Sequence, residues 1–127
     1  MKVLINALNT IYNNEVRGHK ECVVYPISKL LLNVLNVMQK EGYIGEVEYI
    51  DDGRGGKLRV QLLGRINKCA AIYPRFYVKC SEIDEWAKIY LPARDVGTLI
   101  LTTSKGVMTH HEAKKRRIGG ALLAYVY

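Results

Sequence analysis

Residues 44–62 read IGEVEYIDDGRGGKLRVQL, two runs of alternating apolar and polar side chains around a turn rich in glycine and aspartate. A period of two marks a strand with one buried face, and Asp51-Asp52-Gly53-Arg54-Gly55-Gly56 is the chemistry that folds two such strands into a hairpin. In the first run Val47 and Tyr49 share one face while Glu46 and Glu48 take the other. In the second, Leu58, Val60 and Leu62 alternate with Lys57, Arg59 and Gln61. A symmetric turn sets Glu48 opposite Arg59, so the polar face largely neutralises itself. The sheet reads as scaffold.

Upstream, Val3, Leu4, Ala7, Leu8, Ile11 and Tyr12 recur at helical spacing, with Gly18 as a stop. Cys22-Val23-Val24-Tyr25 is strand-like and ends at Pro26. Ser28 fits the N-cap of a helix carrying Leu30, Leu31, Val34, Leu35, Val37 and Met38, closed by Gly42. The first half therefore predicts α-β-α-β-β.

Downstream, residues 70–80 predict a strand interrupted at Pro74, and Ser81 to Ile89 a short helix with an acidic start. Val96 to Thr102 predicts a buried strand. Thr109 and Glu112 predict a capping box, the Thr bonding forward and the Glu reaching back. The helix behind them carries Lys114-Lys115-Arg116-Arg117 and is expected to end at Gly119-Gly120, with a final strand from Ala121 to Tyr127. The expected fold class is α+β in two small packed lobes: residues 1–66, α-β-α-β-β, and residues 67–127, mostly β with short helices.

An apolar fraction of 49% in 127 residues is that of an ordinary globular chain. No apolar run nears the roughly 20 residues that span a bilayer. Polar residues break the start within a turn, so it does not resemble a signal peptide, and a cytoplasmic location without membrane contact is expected. Three widely spaced cysteines (Cys22, Cys69, Cys80) argue for a reducing compartment. Net charge is +7, and its distribution is uneven. Residues 1–63 hold 8 basic and 7 acidic side chains; residues 64–127 hold 11 and 5. Nearly all the excess lies in the second half, which is where a polyanionic partner is expected.

Thr102-Thr103-Ser104-Lys105-Gly106 reads as a turn between the buried strand and the capped helix. Its hydroxyls can reach ribose, phosphate or base edges, and a glycine lets backbone N–H groups approach an anion beside a helix N-terminus. Composition alone leaves this turn more often idle than functional, since polar turns favour these residues anyway. The run Lys114 to Arg117 is by itself a solvated face. Beside the turn it gains weight as a source of phosphate contacts, together with Arg75, Lys79, Arg94 and Lys105. Among the nine tyrosines, Tyr73, Tyr77 and Tyr90 in the basic half could stack on unpaired bases. Most are expected to pack at the core rim, with Tyr90, beside Pro92 and Arg94, kept as a candidate for stacking on a base.

Other chemistry finds little support. Cys69 and Cys80, eleven apart, lack the close ligand pairs of structural zinc sites, and adjacent His110 and His111 should point apart on a helix, so no metal or other cofactor is expected. Ser104-Lys105 has neither the Gly-x-Ser-x-Gly nor the Ser-x-x-Lys spacing of a nucleophile site, and no Walker or dinucleotide glycine pattern occurs. A small cytosolic hydrolase using Ser104, Lys105 and the histidine pair is thus the weakest reading, and no enzyme activity is expected.

The stretch Gly97-Thr98-Leu99-Ile100-Leu101-Thr102-Thr103-Ser104-Lys105-Gly106-Val107-Met108, followed by Glu112-Ala113-Lys114, strongly resembles the universal small-subunit ribosomal protein eight family. Pro26, Ser28-Lys29 and Gly42-Tyr43-Ile44 resemble that family's first half, and Gly119-Gly120 with Ala124-Tyr125-Val126-Tyr127 its end. Gly45-Glu46 to Asp51-Asp52-Gly53-Arg54, then Gly64-Arg65-Ile66-Asn67-Lys68-Cys69, then Pro74-Arg75-Phe76 resemble the archaeal and eukaryotic branch. The compact length and tail are similar to archaeal members. The resemblance implies binding to the central domain of small-subunit ribosomal RNA, an early role in assembling the platform, and support of translation. It also implies contacts with neighbouring ribosomal proteins, five and twelve being the candidates, and with the chain's own messenger where that RNA mimics the site. Carried onto this sequence, the main RNA contact is Thr103, Ser104, Lys105 and Gly106. Bacterial members tend to carry Glu where this chain has Ala121, which puts any contact made by that carboxylate in doubt. The alternative is a regulatory RNA-binding module outside the ribosome.

Overall fold

Every helix of the first half starts or stops where side-chain chemistry demands it. A computed structural model of the protein describes all residues except Met1, Pro26, Asp52, Arg54, Pro74, Arg75, Arg94 and Asp95, and leaves out the Lys2 side chain. The expectations resting on Arg75, Arg94 and the break at Pro74 lie outside the described residues. The chain forms two compact units, Met1–Ala70 and Ala71–Tyr127. No helix among the described residues is long and apolar enough to cross a membrane.

In the first unit, α1 (Lys2–Val16) buries Leu4, Ala7, Leu8 and Ile11 along one stripe. It ends in a Schellman arrangement at Gly18, φ 75°, with the N–H of His19 donating to Asn14 O at 3.0 Å. Strand β1 (Glu21–Val24) turns Cys22 and Val24 inward. Helix α2 (Lys29–Lys40) is capped by Ser28, whose Oγ accepts from Leu31 N at 3.1 Å, and closes at Gly42 in the same way as α1. Strands β2 (Ile44–Ile50) and β3 (Lys57–Leu62) form the expected hairpin, with β1 added on the far side of β3, giving the order β1-β3-β2. Glu48 sits opposite Arg59 and their side chains pair at 3.4 Å. The α-β-α-β-β order is as expected, and the whole chain is α+β.

The second unit is built on one antiparallel sheet, with the order β4-β8-β6-β7 and β5 also on β8. Its strands are β5 (Tyr77–Val78), β6 (Thr98–Thr103), β7 (Gly106–Thr109) and β8 (Gly120–Val126), and β4 (Cys69–Ala71) enters it only with Ala71. One face carries Val78, Leu99, Leu101, Met108 and Leu122 into a core with Ile83 of α3 (Ile83–Tyr90), Leu91 just beyond it and Ala113 of α4 (His110–Arg116). A single 3-10 turn, Cys80–Glu82, leads into α3.

Three expectations about this unit are corrected. The first concerns β7, which was expected to be turn. Val107, Met108 and Thr109 instead pair with Thr102, Leu101 and Ile100. The capping box is half made: Thr109 Oγ1 accepts from Glu112 N at 3.1 Å, but the Glu112 carboxylate goes to Arg116 at 2.9 Å, where an i,i+4 ion pair competes for it. Helix α4 ends not at the paired glycines but at Arg117, which takes the left-handed conformation (φ 58°, ψ 43°) and completes a Schellman motif, Ile118 N donating to Ala113 O at 3.0 Å. Because the Thr109 cap still satisfies a terminal N–H of α4, Thr109→Ala is expected to lower stability by about 1 kcal/mol in urea denaturation.

Candidate nucleic-acid interface

Strands β6 and β7 are joined by Ser104 and Lys105 alone, between the paired Thr103 and Gly106. Positive φ falls on Gly106 (111°) and on neither loop residue, the pattern of a type I turn closed by glycine. The Thr103 hydroxyl holds this turn from inside, donating to Gly106 O at 2.9 Å and accepting from Lys105 N at 3.1 Å. It also lies 3.9 Å from the Met108 sulfur. Thr103 thus spends its donor and one lone pair on the turn itself. Ser104, Lys105 and Gly106 are exposed, and the Ser104 hydroxyl and Lys105 ammonium have no partner among the described residues. A free hydroxyl, a free cation and exposed backbone at one tip can meet a phosphate, a ribose or a base edge.

The site therefore differs from the strand-to-helix turn expected. Helix α4 starts a full strand later, at His110, so its N-terminal end is not beside the tip. Its other end is. A Cβ built on Gly120 would meet Thr102 O at 2.5 Å and Thr103 Cγ2 at 2.8 Å, so the start of β8 passes against the base of the hairpin. Arg117 precedes Gly120 by three residues, a span of about 10 Å at most. The cation-bearing C-terminal end of α4 is what the fold brings to the hairpin.

The basic run divides in two. Lys114 pairs with Asp84 at 2.6 Å and Arg116 with Glu112 at 2.9 Å, both at the surface. Exposed pairs of this kind are worth about 0–1 kcal/mol and exchange readily for phosphate. Lys115 and Arg117 are exposed and carry no ion pair among the described residues. Tyr90 lies at the rim of the core, its ring 5.4 Å from that of Tyr125. Tyr73 and Tyr77, expected to pack, are instead 70% and 67% exposed. Strand β5 holds only two residues, and with Val78 inward the pleat turns Tyr77 outward. That alternation was the signal available in the sequence.

The histidine pair is structural in its buried member. The His110 side chain is 4% exposed, and its Nδ1 accepts from Leu99 N at 3.0 Å, tying α4 to β6. Burial, then the neighbouring His111 and Lys114, lower its pKa to about 4. The two rings lie 3.9 Å apart rather than diverging. No group of three His, Cys, Asp or Glu side chains suited to a metal occurs among the described residues. Burial pushes the thiols of Cys22 and Cys69 up to about 11 and about 12, far from thiolate ligands. Ser104 is separated from His110 by more than the length of β7, roughly 10 Å, which removes the hydrogen bond that a Ser–His pair needs. An open cavity of about 390 Å³ beside α3 and α4 is lined by Lys88, Leu91, His110 and Lys114 among others, but by no Ser, Thr or Cys.

Over residues 2–127 the sequence matches the family model of Ribosomal protein S8. The chain belongs to that family. It is 59% identical to the small ribosomal subunit protein uS8 of Caldivirga maquilingensis over 127 residues, covering 100% of this chain and 98% of the relative. It is 54% identical to that of Metallosphaera sedula over 130 residues, covering 100% and 98%, and 56% identical to that of Saccharolobus solfataricus over 127 residues, covering 98% and 96%.

Proposed function

We infer that this chain is a structural constituent of the small ribosomal subunit that binds small-subunit ribosomal RNA through the β6–β7 hairpin. The carrying observation is the tip itself, where Ser104 and Lys105 are exposed and unpartnered while Thr103 holds their backbone in place. Ser104 and Lys105 make the contacts, Gly106 allows the close backbone approach, and Lys115 and Arg117 supply phosphate contacts from the end of α4, with Lys114 and Arg116 exchanging their surface partners for RNA. Arg75 and Tyr90 are further contact candidates. The RNA is the central domain, bound early as the platform assembles, so that the chain serves translation in the cytoplasmic ribosome. Neighbouring ribosomal proteins, five and twelve, and the chain's own messenger complete the proposed partners.

Binding to a transcript of the central domain is expected to weaken steeply with salt, by the slope of several phosphate contacts. Ser104→Ala is expected to weaken it about five-fold, the size of one net hydrogen bond, with the salt slope unchanged. An affinity for the transcript no better than for an arbitrary duplex sinks the reading, and unchanged affinity in Ser104→Ala takes the hydroxyl off the contact surface.

A further inference from the structure

On the sheet of the second unit, Tyr77, Ala121, Thr102 and Val107 are direct cross-strand neighbours in register. Opposed residues of antiparallel strands share a face, so these four form one row across β5, β8, β6 and β7. The face behind them is the core, through Val78, Leu101, Met108 and Leu122. The row is partly or fully exposed along its length, carries no acidic side chain, and ends one residue from the hairpin tip.

Tyr77 is the only large side chain in that row. Its hydroxyl would lie 2.8 Å from a Cβ on Gly119, so the ring crosses diagonally over backbone that has no side chain to lift it. The residue remains 67% exposed. On the inner side of the row Ala121 is too small to cover it. Strands are spaced about 4.8 Å apart, so Tyr77 stands two strands, about 10 Å, from Thr102. An exposed, uncharged aromatic ring on a sheet is the geometry that stacks an unpaired base.

We propose that Tyr77 is a base-stacking platform, binding an unpaired nucleotide of the same RNA whose backbone the hairpin tip grips. This rests on the RNA-binding reading and extends the interface from the tip across the sheet to β5. It also assigns the row a chemical preference: single-stranded or bulged RNA, not the continuous duplex that the cations alone would accept.

The test uses the full chain and a transcript of the central domain of small-subunit ribosomal RNA at fixed salt. Tyr77→Ala is expected to weaken binding roughly 5- to 100-fold, the range for one base–aromatic stack, with no change in salt slope. Tyr77→Phe, which keeps the ring, is expected to rescue most of that loss. Ultraviolet crosslinking of the wild-type complex is expected to give a Tyr77–nucleotide adduct by mass spectrometry, a readout that needs no variant to fold. Wild-type-like binding by Tyr77→Ala, a Tyr77→Phe loss equal to that of Tyr77→Ala, or crosslinks confined to other residues each overturn the proposal while leaving the tip in place. A wild type that ignores the transcript overturns the RNA reading, and this proposal with it.

Discussion

Taking the protein from pH 7 to pH 4 is expected to remove roughly 2–3 kcal/mol of stability through one imidazole, that of His110. Its pKa is about 4 in the folded chain, against 6.5 as the ordinary value. Above pH 6.5 both folded and unfolded chains hold it neutral, and the full stability is present. Between 6.5 and 4 the unfolded chain takes up a proton that the folded chain refuses, and stability falls by about 1.4 kcal/mol per pH unit. Below 4 both are protonated and the loss is complete. Geometry gives the same sign: Nδ1 accepts from Leu99 N, and an imidazolium has no lone pair to offer there. The Asp84 carboxylate opposes the shift. The measurement is therefore a comparison. Urea denaturation at pH 7, 5.5 and 4 is run on wild type and on His110→Asn, whose amide oxygen can accept from Leu99 N without titrating. The variant is expected to lose clearly less stability across the range; parallel curves would remove His110 as the cause.

The second large effect is expected at Gly120. A Cβ there would stand 2.5 Å from the Thr102 carbonyl oxygen and 2.8 Å from Thr103 Cγ2. The nearer atom is backbone, so relief requires β8 to move away from β6 at the point where the two are paired. Gly120→Val should cost about 3 kcal/mol by urea denaturation, the upper range for overpacking, and Gly120→Ala somewhat less. Displacing Thr102 and Thr103 also tilts the hairpin, so RNA affinity should fall even at temperatures where the variant is folded. Gly106→Ala provides the contrast. Nothing lies within 4 Å of its Cβ, and only the positive φ of 111° is strained, so the effect there should be smaller and confined to the turn. A Gly120→Val protein as stable as wild type would show that the strands can part without loss.

The two units differed in how much their sequences revealed, for reasons that can be traced to particular residues. In the first, Leu4, Ala7, Leu8 and Ile11 repeat over enough turns to define a helix, and both helices end in glycine. The alternation of residues 57–62 is long enough to define a strand and its buried face. In the second, β7 has four residues and begins with a glycine, so periodicity had no room to register. Gly119-Gly120 after a basic helix resembled a stop signal, but the helix ends on a left-handed Arg117, and the glycines are required by atoms of β5 and β6 distant in sequence. Local propensity cannot report such close approaches. The motif around the tip was visible from its residues and its family resemblance. That Thr103 faces inward needed the strand register.

The internal bonds of Thr103 bear on how association proceeds. A loop that had to be ordered by its ligand would give up conformational entropy on contact, and binding would be slow and marked by a large heat-capacity change. Here the two-residue loop is already braced before any partner arrives, at a spot where the chain has only Ser104 and Lys105 to position. Encounter then resembles docking of a rigid prong whose speed is set by long-range attraction between cations and phosphates. On the proposed reading, the partner that brings a fixed shape to that encounter is the protein.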